Sequence, residues 1–184
     1  MRALKKTIAL MFGFVLLYNT MVLAAPSISV SIDGKKVAFT EAKPFVDGNG
    51  RTLVPLRKIS EELGFNVKWD AATKKITMAA DVKQNPGKEW FDYNYTFVGE
   101  LFENFRNQKS GVETFSQIYY VGQKTVGIEY SGKGKTEIIT GEIDTCPVVK
   151  DGYTYIPARS LVEMIGYEVG WDNATKHISI VKVK

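Results

Sequence analysis

The chain has 184 residues, of which 45% are hydrophobic and 12% aromatic, a composition that excludes an intrinsically disordered protein. It carries 24 Lys and Arg residues against 20 Asp and Glu residues. Three of the basic residues and none of the acidic ones fall within the first 24 residues, so the remainder has 21 against 20 and a net charge of +1. Charge therefore gives no support for nucleic acid or an anionic membrane surface as a partner.

The first 24 residues have the pattern of a secretory signal peptide. A basic start, MRALKK, precedes the apolar run IALMFGFVLLY, and a small-x-small site ends at Ala24. The alternative, an uncleaved anchor, is disfavoured because the apolar run is too short for a bilayer core of about 30 Å. We expect cleavage after Ala24, with Ala25 as the fallback, and a mature domain of residues 25–184. The protein would then be secreted or held at the cell surface, and would meet the membrane only before cleavage.

Three short segments predict β-hairpins outside the repeat described next. In ISVSIDGKKVAF, Asp33-Gly34 is a tight-turn signal between two apolar runs. IYYVGQKTVGIEY is a weaker counterpart, with Gly122 at its turn. SGKGK is rich in glycine but lacks the spacing of a phosphate-binding loop, so a hairpin turn is its better interpretation.

The chain contains an internal repeat. Residues 50–78 align with residues 152–180 at a constant offset of 102, without gaps and with thirteen identities. We call these segments the first copy and the second copy, and expect the wider repeat units to span residues 28–79 and 117–182. A gapless match at a constant offset indicates that one structural unit is built twice.

Each copy predicts a strand, a helix and a β-hairpin. RTLVP and YTYIP are β-rich and end in a proline that suits the first turn of a helix. Gly64 and Gly166 suit the left-handed position that ends a helix. FNVKW and YEVGW alternate apolar and polar residues, as half-buried strands do, and DAAT and DNAT are turns whose aspartate can accept amide hydrogen bonds.

The repeated arginine, aspartate and tryptophan have both a structural and a functional interpretation. We expect each Arg and Asp pair to form a structural salt bridge or backbone clamp, rather than a binding pair. We expect each tryptophan to anchor the core rather than to form a platform for sugars. The predicted structural residues are Pro55, Arg57, Gly64, Trp69, Asp70, Pro157, Arg159, Gly166, Trp171 and Asp172.

The motif DGNGRTLVPLRKISEELGFNVKWDAATKKITM resembles the copper amine oxidase N-terminal-like domain, also called the stalk domain. The resemblance covers most of residues 25–184 but not the enzyme's catalytic part. It implies an exported bacterial protein with an α+β fold, in which antiparallel sheet packs on helices. With the hairpins added, we predict two repeats of β-hairpin, short strand, helix and β-hairpin.

The residues argue against catalysis and against a cofactor. The resemblance suggests copper, which amine oxidases of this kind bind through three histidines. It also suggests a cofactor made from a tyrosine in an Asn-Tyr-Asp/Glu context. This chain has a single histidine, His177, and its Asn94-Tyr95 is followed by Thr96. Copper(II) sites normally use more imidazole than one ring. We therefore expect no catalytic residues, no metal and no cofactor, and we place His177 on the solvent side of a strand.

An aromatic insert separates the copies, at about residues 80–116, with its aromatic part at residues 89–108. Its apolar residues follow a helical stripe, and the stripe either packs on the sheet or leaves some aromatics exposed for recognition. Tyr93 and Tyr95 are the candidate partner-binding residues, because a phenol tolerates one wet edge.

Two functions remain open at this point. The first is an exported, non-enzymatic stalk-type module that contacts an unknown protein or cell-wall component, or acts as a spacer. The second is a glycan- or small-ligand-binding protein that uses residues 89–108.

Overall fold

The computed structural model describes residues 27–81, 114–132 and 134–183. The predicted signal peptide and the aromatic part of the insert, residues 89–108 with Tyr93 and Tyr95, therefore lie outside the described residues. The strands are β1 (Ser29–Ile32), β2 (Lys35–Lys36), β3 (Phe45–Val46), β4 (Thr52–Pro55), β5 (Asn66–Asp70), β6 (Lys75–Asp81), β7 (Thr114–Tyr120), β8 (Thr125–Gly132), β9 (Lys135–Glu142), β10 (Val148–Lys150), β11 (Tyr153–Pro157), β12 (Tyr167–Asp172) and β13 (His177–Lys182). The helices are α1 (Leu56–Glu62) and α2 (Ala158–Val162), and a 3-10 turn, Glu163–Ile165, follows α2.

The described chain is mostly β-structure, so the predicted α+β fold is wrong. Its strands form three sheets, with the orders β12-β13-β1-β2, β10-β11-β4-β3 and β5-β6-β7-β8-β9. The two helices have only seven and five residues. A helix of that size is roughly 10 Å long, too short to cover a sheet. Gly64 and Gly166 follow the helical segments with φ of +89° and +78°, the left-handed conformation predicted for them, and they end these segments early.

The central sheet joins the two copies about a pseudo-two-fold axis. Strands β4 and β11 pair antiparallel, with Val54 opposite Ile156. These two residues are equivalent in the repeat, so the axis passes between them. The neighbours Leu53 and Pro157 also pair across it. Both Val54 and Ile156 are fully buried.

The outer sheets exchange strands between the repeat units. Strand β1, which precedes the first copy, pairs in parallel with β13 of the second copy, with Ser29 opposite His177. Strand β7, which precedes the second copy, pairs antiparallel with β6 of the first copy, with Lys75 opposite Tyr120. Within each copy the order strand, helix and hairpin is present, but the longer predicted order is interrupted by the additional strands β3, β9 and β10. The hairpin that precedes each copy completes the sheet of the other unit rather than that of its own.

One hydrophobic cluster draws on both copies and on the strands between them. Phe65 of the first copy meets Phe115 of β7 edge to face, with 6.3 Å between ring centroids. The Tyr119 hydroxyl contacts Gln117 Oε1 at 2.8 Å and the Ser160 carbonyl at 3.1 Å. Complete burial raises the pKa of Tyr119 far above its usual value, so the phenol stays neutral.

The three predicted hairpin turns are confirmed. Asp33 and Gly34 have φ of +47° and +80° between β1 and β2, as a two-residue type I′ turn requires. Gly122 has φ of +78° between β7 and β8. The SGKGK segment joins β8 to β9, whose closing pair is Gly132 and Lys135. In the described part of the chain, no helix has the length and apolar character needed to span a membrane.

Candidate functional site

A groove of about 620 Å³ opens between the β3–β4 hairpin and the second copy. We call it the inter-copy groove. The first copy contributes its β3–β4 side, the segment after β9 adds Ile143 and Asp144, and the second copy supplies α2 and the β12–β13 hairpin. The lining residues include Val46, Met164, Val169 and Trp171. Apolar atoms form most of this surface, and its charged residues are Arg51, Asp144, Arg159, Glu163 and Lys176.

Trp171 forms part of the groove wall, and its exposure corrects the predicted core role of the two tryptophans. Trp69 and Trp171 are each 42% exposed. Each lies near the end of an edge strand, β5 or β12, and pairs with a buried isoleucine, Ile76 or Ile178. Among the described strands neither sheet continues beyond that edge, so the isoleucine on the inner strand is covered while the indole remains half in solvent. Of the two, Trp171 contributes to the groove.

The turn after each tryptophan is held by its aspartate. Asp172 Oδ1 accepts a hydrogen bond from Ala174 N at 2.8 Å, and Thr175 Oγ1 donates to Asp172 Oδ2 at 2.6 Å. Asp70 makes the same two bonds in the first copy, at 2.9 Å and 2.7 Å. These bonds favour the ionised carboxylate, so the hydrogen bond from the threonine hydroxyl, followed by that from the backbone amide, lowers the pKa of each aspartate.

The repeated arginines do not bond to these aspartates. Arg57 Nη1 donates to the Val67 carbonyl at 2.9 Å and lies 3.5 Å from Glu61 Oε1. Of the two predicted alternatives, the first copy has a backbone clamp. In the second copy, Arg159 Nε instead approaches Glu163 Oε1 at 2.9 Å. Each arginine thus approaches the glutamate four residues later, and Arg57 in addition donates to a backbone carbonyl.

Charge on the groove is nearly balanced, apart from one lysine. Arg51 pairs with Asp144 at 2.6 Å, and Arg159 pairs with Glu163. Lys176 Nζ donates to the neutral amide oxygen of Asn173 at 2.6 Å and lies 5.9 Å from the centre of the Trp171 ring. Among the ion pairs within the described ranges, none neutralises Lys176, so this ammonium group remains available to an acidic ligand.

The predicted prolines lie where each central strand meets its helix. Pro55 occupies the N-cap position of α1 and Pro157 that of α2. Both also belong to the paired central strands β4 and β11, and Pro157 contributes to the groove floor. Sequence reasoning therefore identified residues that shape the groove, although it did not identify the groove.

His177 has a structural environment that the sequence did not predict. Its Nδ1 lies 2.8 Å from Ser29 Oγ and its Nε2 lies 2.9 Å from Ser31 Oγ, so the half-buried ring joins β13 to β1. Both ring nitrogens are engaged, and the described residues contain no group of three or more His, Cys, Asp and Glu residues able to hold a metal ion. The residues around this single histidine do not fit the copper site that the family name brings to mind.

The turn aspartates give a prediction about pH. Because folding lowers their pKa, the ionised carboxylates of Asp70 and Asp172 stabilise the folded protein at pH values above the usual aspartate pKa. That contribution is lost as the pH falls through the lowered value. We expect Asp70→Ala with Asp172→Ala to melt at a lower temperature than the parent at about pH 7, and the difference to shrink near about pH 2. Thermal melts followed by circular dichroism test this, and a difference that is constant with pH would contradict it.

Comparison with known proteins identifies the family. Residues 31–86 and 116–183 match the copper amine oxidase N-terminal domain, and the match does not extend to the catalytic domain. A protein of Brevibacillus choshinensis titled "Protease inhibitor" is 30% identical over 142 residues, which cover 77% of this chain and 31% of that protein. The chain therefore spans about a third of that relative's length. No solved structure matches. The chain belongs to the copper amine oxidase N-terminal domain family.

Proposed function

We propose that this chain is an exported, non-enzymatic module that binds another protein outside the cell through the inter-copy groove. The observation that carries the proposal is the half-exposed Trp171 in the wall of a groove of about 620 Å³. A half-exposed aromatic beside apolar side chains and a rim of charge is the composition of a binding hot spot. A plain spacer would have no need of this concave surface.

Support for export and for a protein partner comes from different sources. Export rests on the basic and apolar pattern of residues 1–24, with secretion or surface retention as the destination. A protein partner is favoured by the relative titled "Protease inhibitor", since an inhibitor of a protease acts by binding a protein. The alternative, a glycan- or small-ligand-binding role for residues 89–108 with Tyr93 and Tyr95, lies outside the described residues.

Site-specific photocrosslinking tests the proposal. A Brevibacillus strain would secrete the chain with the photoreactive residue p-benzoylphenylalanine at position 171, or at position 69 as the matched control. Trp69 has the same exposure, the same strand position and the same following turn. We expect an adduct with one exported protein from position 171 and none from position 69, and we expect the purified partner to bind the parent and not Trp171→Ala.

The partner's identity then decides the finer assignment. If it is a protease, residual peptide hydrolysis measured with and without the purified chain shows whether binding inhibits it. Equal adducts from both positions, or an adduct with cell-wall glycan alone, would contradict a protein-binding groove. A chain recovered only inside the cell, with Met1 retained, would contradict export.

A further inference from the structure

The outer edge of β12 presents backbone groups beside the groove. Strand β12 is the first strand of the sheet β12-β13-β1-β2 and pairs only with β13 among the described strands. Val183 N donates to the Gly166 carbonyl at 3.0 Å, just beyond the ladder, so that pair is hydrogen-bonded. Opposed residues in an antiparallel ladder alternate between bonded and non-bonded pairs. Val169 and Trp171 lie three and five residues after Gly166, so both belong to non-bonded pairs. Their backbone N–H and C=O groups therefore point away from β13.

The first copy shows the same backbone orientation with its edge occupied. Val67 lies opposite Met78 as Val169 lies opposite Ile180, at the repeat offset. The Val67 carbonyl points outward and accepts the hydrogen bond from Arg57. In the second copy the equivalent arginine, Arg159, is bound to Glu163. Within the described ranges no side chain is hydrogen-bonded to the outward carbonyl of Val169, so β12 has an open edge where β5 has a blocked one.

The side chains beside this edge border an apolar space that suits every second side chain of an added strand. Val169 and Trp171 project from the same face of β12, because side chains two positions apart share a face. Both line the groove, and so does Met164 from the 3-10 turn. A strand laid along β12 would direct every second side chain into this apolar space. That geometry is the one used when an extended peptide adds to a sheet edge.

The charged residues of the groove indicate which charge the added segment should carry. Lys176 lies at the end of the edge, over the Trp171 ring, and is the lining cation whose partner is a neutral amide rather than a carboxylate. The two arginines of the groove are each already paired with an acidic residue. An added segment with one carboxylate near Lys176 would complete the charge balance, whereas a basic segment would be repelled.

We propose that the inter-copy groove binds an extended, acidic polypeptide segment that joins β12 as an additional antiparallel or parallel strand. The segment places an apolar side chain against Trp171 and a carboxylate at Lys176. This inference rests on the proposed function, and it specifies how the protein partner is held.

Labelled peptides test the proposal on the purified mature chain. The probes are fluorescein-labelled peptides that alternate apolar and polar residues and carry one aspartate at successive positions, followed by fluorescence anisotropy. We expect binding by the members whose aspartate reaches Lys176. Trp171→Ala should weaken that binding by roughly thirtyfold or more, while Trp69→Ala leaves it unchanged. Lys176→Gln should cost a few-fold against the aspartate peptide and nothing against its asparagine counterpart.

N-methylation of the peptide backbone distinguishes strand addition, which needs backbone hydrogen bonds, from binding by side-chain contacts alone. Methyl groups on alternate amides of the edge that faces β12 should reduce affinity by about tenfold or more, and methyl groups on the outer edge should have little effect. The proposal is overturned if no peptide binds, if Trp69→Ala weakens binding as much as Trp171→Ala, or if methylation of either edge has the same effect. Chito-oligosaccharide binding that needs Trp171, without peptide binding, would replace the polypeptide with a glycan.

The two proposals fail in different ways. A crosslinked protein partner from position 171, with no effect of N-methylation, would keep the protein-binding function and remove strand addition. Loss of the crosslink as well would remove both.

Discussion

A fragment that ends at Asp81 should remain unfolded, and so should a fragment that begins at Thr114. Each fragment loses the strands that complete its sheets: β6 loses β7, β13 loses β1, and β4 loses β11. The first fragment retains only two-stranded pairs, and an isolated hairpin is marginally stable in water. The second retains the three-stranded β7-β8-β9 ladder but loses the core side chains of the first copy that pack against it. We therefore expect each fragment alone to show a poorly dispersed amide NMR spectrum and no cooperative thermal transition.

Mixing the two fragments is the informative control. Because the strand exchange joins the fragments through three separate ladders and one core, the mixture should recover dispersed signals and a cooperative melt. Recovery would show that the lost structure depends on pairing between fragments and not on chain length. A first fragment that folds alone would contradict the exchanged pairing and would favour two independent units.

Local structure was predictable where one or two residues determine it. Asp33-Gly34 and Gly122 specify their turns because positive φ is costly for most side chains and inexpensive for glycine. The turn aspartates could be identified because an acceptor at that position has the following amides within reach. The sequence repeat also predicted the order strand, helix and hairpin, since both copies carry the same pattern.

Long-range pairing was not predictable from one sequence. A hairpin before a repeat unit can pair within its own unit or with the other unit, and periodicity is the same in both cases. The choice depends on the central ladder, where Val54 and Ile156 place the two copies side by side about the pseudo-two-fold axis. The fold class was wrong for a related reason, because the pattern indicates a helix but does not show that five or seven residues are too few to cover a sheet.

The groove was missed because its wall is assembled from segments far apart in the sequence. Val46, Ile143 and Trp171 all line the groove although about 100 and 30 residues separate them along the chain. Residue type alone predicts that Trp171 lies in the core. Its exposure depends instead on its position near the end of the edge strand β12.

Truncation of a side chain at the pseudo-two-fold axis should destabilise the protein strongly. Ile156 is fully buried and lies opposite its repeat equivalent, Val54, in the central ladder. Ile156→Ala removes three carbon atoms at a position surrounded by both copies. We expect the free energy of unfolding to fall by about 2–5 kcal/mol, the usual cost of this change in a packed core. Urea denaturation followed by circular dichroism measures the difference.

The chain offers a matched control for this substitution. Ile138 also lies within a β-strand, in β9, but is 62% exposed, so Ile138→Ala should change the free energy of unfolding by no more than about 0.5 kcal/mol. Val54→Ala should also destabilise the chain. The double variant with Ile156→Ala should depart from additivity, because the two side chains share one environment. A large loss at Ile138, or strictly additive effects at Val54 and Ile156, would mean that the central ladder is not where the two copies depend on each other.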